Sequence, residues 1–298
     1  MLDVKRMVML RDLAHHGRVG SVADLHGVTS SAVSQQLRTL ESEAGTPLVH
    51  REGRTLRLTA AGAALAAECE HVLAALERAE GAVRALDDDL SGELKIGCAP
   101  SAISAVAAPL VAELVARHPR LRPMIVQSEP EDAVPLLRQQ GLDLAVSYRY
   151  HLLGTPPPSG TIAVPLFDDP LVVAVPDKLA ASVREDGLGV LRDLAWISAP
   201  EPSTCREILV HACRNAGFTP RIEHSCVDLR SALSIVATGH AVTVLPNLLC
   251  DSPPPGTAVL PLPGRGRVIE ALVRAGSERQ PALAAALAVL TGGPAGER

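Results

Sequence analysis

Apolar residues recur in steps of three and four along the first 43 positions. Between residues 3 and 16, Val4, Met7, Leu10 and either Leu13 or Ala14 share one side of a helix. A second short helix is predicted from Ser21, as its N-cap, through Leu25 to an end near Gly27. Thr29 or Ser30 opens a third, which runs to about Glu43 and is closed by Gly45 and Pro47. Its buried stripe is Ala32, Val33, Leu37 and Leu40. Its other face carries Ser30, Ser31, Ser34, Gln35 and Gln36, small or amide side chains that must meet something other than core. Two helices joined by a tight glycine-containing turn form a helix-turn-helix, an arrangement that lays its second helix in the DNA major groove.

The period then changes to two. Leu48 and Val49, a turn at Glu52 and Gly53, and the run Thr55, Leu56, Arg57, Leu58 predict a hairpin wing with Arg51, Arg54 and Arg57 upon it. From Thr59 a long helix is expected. Leu65, Cys69, Val72, Leu76, Ala79, Val83 and Leu86 alternate in steps of four and three, a heptad seam narrow enough to want a partner helix and hence a dimer. "DDDLSGE", residues 87 to 93, breaks the pattern and marks a boundary; its three aspartates read as a solvated charge run. Beyond it strands and crossover helices alternate in two successive sets, and the last strand and helix fold back onto the first. That order predicts two lobes with parallel-sheet cores, joined by two crossings, with a ligand cleft between them.

Composition narrows the class. The chain has 298 residues, room for two or three domains, and 2% aromatic side chains, so its cores are built from Ala, Leu and Val. Net charge is -5, but the first 66 residues hold eight Lys or Arg against six Asp or Glu. The six cysteines show no C-x-x-C pair and no metal-ligand rhythm with the histidines, which predicts free thiols in a reducing cytoplasm. Charges at Asp3, Lys5, Arg6, Arg11 and Asp12 interrupt any signal-peptide core, and no unbroken apolar run has the roughly 18 residues of a membrane span. A solute-binding protein accounts only for residues 92 to 298 and needs an export signal. An enzyme needs a catalytic set, and there is no Gly-rich phosphate loop, H-E-x-x-H or G-x-S-x-G.

"SVADLHGVTSSAVSQQLRTLE" followed by "AGTPLVHREGRTLRLTAAG" resembles the winged helix-turn-helix of LysR-type transcriptional regulators, and the order wing, linker helix, two-lobed domain is that family's. Two departures are Val49, where the family usually places Phe, and His50 beside Arg51. The resemblance implies an α+β multidomain fold: a winged helix-turn-helix DNA-binding domain at 1–59, a linker and dimerisation helix at 60–90, and a two-lobed α/β effector-binding domain of periplasmic-binding-protein type at 91–298. Lobe I takes about 91–165 and 267–298, lobe II about 166–266. Implied partners are double-stranded promoter or operator DNA, a small-molecule effector, RNA polymerase and further copies in a homodimer or homotetramer, with no cofactor, no membrane and no enzyme activity.

Chemistry assigns the candidate residues. Ser30 and Ser31 near the helix start, and Ser34, Gln35 and Arg38 along its exposed side, offer groups for phosphates and base edges; Gln36 lies nearer the buried flank. Arg51, Arg54 and Thr55 on the wing are expected at the backbone or minor groove. In "GCAPSAIS" the strand ends at Cys98 and a helix follows Pro100, so Ser101 and free N–H groups of Ala102 and Ile103 are expected at the strand's carboxyl end, anchoring an effector carboxylate. Ser203 and Thr204 repeat the arrangement in lobe II, with Ser147 and Asp228 on the remaining walls. Capping uses the same groups, and Ser101 and Ser203 as plain helix caps is the competing reading. Cys205 and Cys213 stand close to where the family's peroxide-sensing branch carries its switch pair, one residue short of that spacing. On a continuous helix they lie about 12 Å apart, too far for a disulfide.

Overall fold

The computed structural model describes residues 1–52, 55–84, 90–264 and 266–292. They form two compact units: Met1–Leu90 with Pro158–Ile162 and Val273–Ala284, and Ser91–Pro157 with Ala163–Leu272 and Ala285–Arg298. The first thus contains two short segments that the sequence reading assigned to lobe I.

In the first unit α1 (Val4–His16), α2 (Val19–His26) and α3 (Ser30–Ala44) precede the hairpin β1 (Val49–Glu52) and β2 (Thr55–Leu58) and the long α4 (Ala60–Arg84). Met7, Leu10 and Leu13 are buried on α1, whereas Ala14 is exposed. Helix α2 starts two residues before Ser21: Arg18 holds the N-cap position without a side-chain bond, and Val22 and Ala23 fix the helix by burial. Thr29 caps α3 by accepting from the Ala32 N–H at 3.2 Å, and Gly45 ends it in the left-handed conformation. A side chain at Gly62 would place its Cβ 1.9 Å from the Leu48 carbonyl oxygen, so the wing's base and the first turn of α4 meet only because that residue is glycine.

The predicted seam on α4 divides in two. Leu65, Cys69 and Val72 pack into the core of the same unit, with Met7, Leu10, Val33 and Leu37. Leu76 and Val83 stay exposed at 45% and 70%, and Leu86 lies outside the described residues. The reason is a second stripe, Ala74, Glu77 and Gly81, which is buried instead; Glu77 accepts from Arg274 and Gln280, and Gly81 approaches Gln280.

The second unit holds two similar sheets. In the first, strands run in the order β4 (Leu121–Gln127), β3 (Gly92–Cys98), β5 (Leu144–Tyr150), β12 (Arg267–Arg274), β6 (Thr161–Asp169), with β3 parallel to β4 and β5. In the second, β10 (Thr243–Pro246), β7 (Leu171–Pro176) and β11 (Thr257–Pro261) pair antiparallel, β8 (Ala195–Ser198) and β9 (Arg221–Ser225) pair parallel, and a bridge from Trp196 to Val242 joins the two sets. Helices α5 (Ala108–Arg117) and α6 (Pro130–Arg138) serve the first sheet; α7 (Ala180–Asp186), α8 (Thr204–Asn215) and α9 (Leu229–Ala237) serve the second, and α10 (Pro281–Gly292) closes the described chain. The helical run Pro100–Arg117 is, by length and mean hydropathy alone, apolar enough to cross a membrane, which no unbroken apolar run in the sequence suggested. It lies instead against the first sheet, with Ala102, Val106, Ala107, Leu110 and Leu114 buried.

Candidate nucleic-acid interface and interlobe site

Burial of Val33, Leu37 and Leu40 turns the rest of α3 outward. Ser30, Ser31, Gln35 and Arg38 are exposed and Ser34 half-buried. Their side chains interact mainly with one another: Ser31 Oγ lies 2.9 Å from Thr29 Oγ1, Ser34 donates to the Ser30 carbonyl at 2.9 Å, and Arg38 donates to Gln35 Oε1 at 2.7 Å. These local bonds can be exchanged for bonds to a base or phosphate without breaking the core. Gln36 differs. Its Oε1 accepts from Arg6 Nε at 2.8 Å, and Arg6 also pairs with Glu43, so Gln36 holds α1 against α3 rather than extending the outward face.

On the wing Arg51 and Thr55 are exposed, and Thr55 donates to the Glu52 carbonyl at 2.8 Å; Arg54 lies outside the described residues. Sequence reasoning missed Glu41. Its Oε1 accepts from the Leu48 and Val49 N–H groups at 2.9 and 3.1 Å, tying the wing's base to α3. Beneath these elements Asp12 accepts from Arg11 at 2.6 and 2.9 Å and contacts His26 Nε2 at 2.8 Å, pinning α1 to α2.

The second site lies where the two lobes meet. Arg267, 1% exposed, pairs with Asp169 at 2.8 and 2.9 Å, donates to Ser101 Oγ at 2.8 Å and lies 4.4 Å above the ring of Tyr148. Tyr148 donates to Glu129 at 2.9 Å; Tyr150 lies edge-on to Tyr148, its hydroxyl 3.4 Å from Cys205 Sγ. Thr204 donates to Glu131 at 3.4 Å, so α8 of one lobe meets α6 of the other as well as β5. Both tyrosines of the chain are in this cluster. Burial pushes the Glu129 carboxyl up, against the pull of the Tyr148 hydroxyl.

The expected site residues fare differently. Ser101 and Thr204 are in the cluster, and Ser101 acts through Arg267 rather than as a cap. Ala102 and Ile103 do not offer free N–H groups: the turn after Pro100 is tight, so Ala102 donates to the Ala99 carbonyl at 2.9 Å and Ile103 to that of Pro100. Ser147 is buried beside Tyr148 on β5. Ser203 holds the N-cap position of α8, yet its side chain makes no capping bond. Asp228 is exposed and caps α9 through the Arg230 N–H, and its hydrogen bond from Ser231 holds its carboxyl below the ordinary aspartate value. Arg267, Asp169, Tyr148 and Glu129 escaped sequence reasoning, although two tyrosines in a chain so poor in aromatics were a usable signal. Cys213 is fully buried near Trp196, its thiol pushed up to about 12, at the far end of unbroken α8 from Cys205. Among the described residues no group of three or more His, Cys, Asp or Glu is disposed for a metal.

Residues 4–63 match the family model described as bacterial regulatory helix-turn-helix protein, lysR family, and residues 87–294 match the LysR substrate binding domain. A probable hydrogen peroxide-inducible genes activator of Mycobacterium avium is 27% identical over 78% of this chain and 74% of its own length. The transcriptional regulator ShiR of Corynebacterium glutamicum is 30% identical over 79% of this chain and 80% of its own. The solved structure of a Corynebacterium glutamicum OxyR C206 mutant covers 98% of this chain and 91% of its own at 21% identity, with a TM-score of 0.56, a likeness of fold.

The raised Glu129 carboxyl makes a pH prediction. Such a group contributes stability when protonated and loses it as pH rises through its folded value. Glu129→Gln cannot ionise, so its stability relative to the parent should grow as pH rises above about 4, read by urea unfolding at each pH. Parallel pH profiles for the two proteins would show that the carboxyl carries no such burden.

Proposed function

We propose that this chain, which belongs to the LysR family of bacterial transcriptional regulators, reads its operator with Ser30, Ser31, Ser34, Gln35 and Arg38 of α3 while Arg51, Arg54 and Thr55 of the wing meet the DNA backbone or minor groove. The observation that carries the reading is the outward face of α3: small hydroxyls and one amide on a helix anchored from behind by Val33, Leu37, Leu40, Gln36 and Glu41. It is a binding protein without cofactor or catalysis, working in the cytoplasm on promoter DNA and RNA polymerase.

Two copies pair through the exposed half of the α4 seam, Leu76 and Val83, and the symmetric dimer presents two recognition helices to an interrupted palindrome; a tetramer is a dimer of such dimers. The effector binds between the lobes. A carboxylate suits the N-terminus of α8, where Ser203 caps nothing and Thr204 faces α6. Glu129 and Glu131 face it with no cation within 4 Å among the described residues, since Arg267 is taken by Asp169. A molecule carrying both a carboxylate and an amine, such as an amino acid, satisfies both sides. Redox control through Cys205 and Cys213 is the alternative that the mycobacterial relative's name favours; two thiols with raised pKa, Cys213 buried and Cys205 half-buried, at opposite ends of an unbroken helix oppose it.

The direct test is a mobility-shift assay with the DNA upstream of the protein's own gene. Gln35→Ala should weaken specific binding by roughly 1–3 kcal/mol and relax one base preference; unchanged affinity and preference would displace α3 from the groove. Leu76→Glu with Val83→Glu should halve the mass or more in light scattering, because both positions are exposed in the protomer and an unpaired charge is costly only in a seam. A thermal-shift screen of small carboxylates and amino acids should find ligands that raise the parent's melting temperature and do so much less for Ser101→Ala and Thr204→Val. A ligand acting equally on all three proteins places its pocket elsewhere.

A further inference from the structure

We infer that Glu77 of α4 is a positioning residue through which the strands β6 and β12 set the rotation of the linker helix. Strand β12 starts at Arg267, inside the buried pair with Asp169, and ends at Arg274, whose Nε donates to Glu77 Oε1 at 2.6 Å. Gln280 donates to the other oxygen, Oε2, at 2.7 Å, so the carboxylate is held from both sides. Its residue is 7% exposed. The neighbouring strand β6 ends at Asp169 and begins next to Gly160, where an added Cβ would lie 2.1 Å from the Glu70 carboxylate, one heptad earlier on α4. Ala275 donates to the Gly160 carbonyl at 3.0 Å, joining the two strand ends. Gly276, at φ +90, brings backbone onto α4 where a Cβ would sit 2.1 Å from the Ala74 carbonyl oxygen.

Each of two adjacent strands therefore has one end in the interlobe ion pair and the other on α4. An extended segment of eight residues in a sheet is about 23 Å long and resists bending, so a shift at Arg267 is delivered at Arg274. A buried carboxylate with two fixed donors tolerates little rotation, because turning it away strands a charge without partners. Leu76, directly before Glu77, and Val83, one turn and a half beyond, belong to the exposed seam. Turning α4 at Glu77 turns that seam.

The inference gives the regulator reading a route between effector and helix, and it is tested without DNA or effector. Amide hydrogen exchange of residues 73–83 is compared in the full chain and in Asp169→Asn, with Ser101→Ala as a second, milder disturbance of the Arg267 cluster should the first fail to fold. Exchange in that stretch should change roughly fivefold or more, while that of Met7–Leu13 stays as in the parent. In a Glu77→Gln, Arg274→Gln background the same disturbance should leave residues 73–83 unchanged, and Arg274→Lys, which keeps the charge, should retain most of the effect. A response that persists with Glu77 and Arg274 both neutral, one that is absent from the parent background, or one spread evenly over both stretches would overturn the assignment. A protein that passes here and fails to bind its upstream DNA loses the operator reading alone.

Discussion

Arg267 and Asp169 form an ion pair whose side chains are each 1% exposed, and the arrangement of both lobes follows from keeping that pair together. A guanidinium in such a place is tolerable only when its donors are used: Nε and one terminal nitrogen go to Asp169, the latter also to Ser101, and the flat cation rests on Tyr148. Removing one partner of a buried pair costs about 3–5 kcal/mol. Because Asp169 ends β6 and Arg267 begins β12, both crossings between the lobes are fixed at one point. Asp169 also accepts from the Leu248 N–H, so the anchor holds the turn after β10 as well.

The same device recurs in the first unit, where Arg11, Asp12 and His26 join α1 to α2, and Glu77 joins α4 to Arg274. The composition gives a reason. Cores of Ala, Leu and Val gain free energy by burial without regard to direction, and with two Phe, two Tyr and one Trp in the chain few large rings are available to lock a packing angle. Polar pairs at named atoms supply the missing direction. They do so at element junctions, between two helices, two strands or a strand and a helix.

Local features were legible in the sequence, and long-range ones were not. Thr29, Gly45 and the stripe Val33, Leu37, Leu40 announced α3 because capping and helical period act within a few residues. Glu41 on the wing, Gln36 on Arg6 and Arg267 on Asp169 join residues far apart in the chain, and no periodicity encodes them. The heptad spacing from Leu65 onward does not say which partner each position meets: Cys69 meets the core of its own unit while Val83 meets none of it. The free N–H groups expected at Ala102 and Ile103 failed for a local reason, a turn tight enough to use them.

Two departures from local rules point in one direction. Glu129 and Ser203 each occupy the N-cap position of a helix, a place where Ser in particular normally bonds the exposed N–H groups, and neither does so. Glu129 turns to Tyr148, while Ser203 leaves the start of α8 open beside Thr204 and Cys205. A serine that leaves its helix uncapped forgoes about 1 kcal/mol, and Ser203 does so on one face of the interlobe junction whose other face carries Glu129. Local consistency is relaxed in proteins chiefly where function needs the groups concerned. The uncapped start of α8 and the carboxylates of Glu129 and Glu131 thus lie together at the junction, beside the Tyr148 and Arg267 contacts on which the lobe geometry rests.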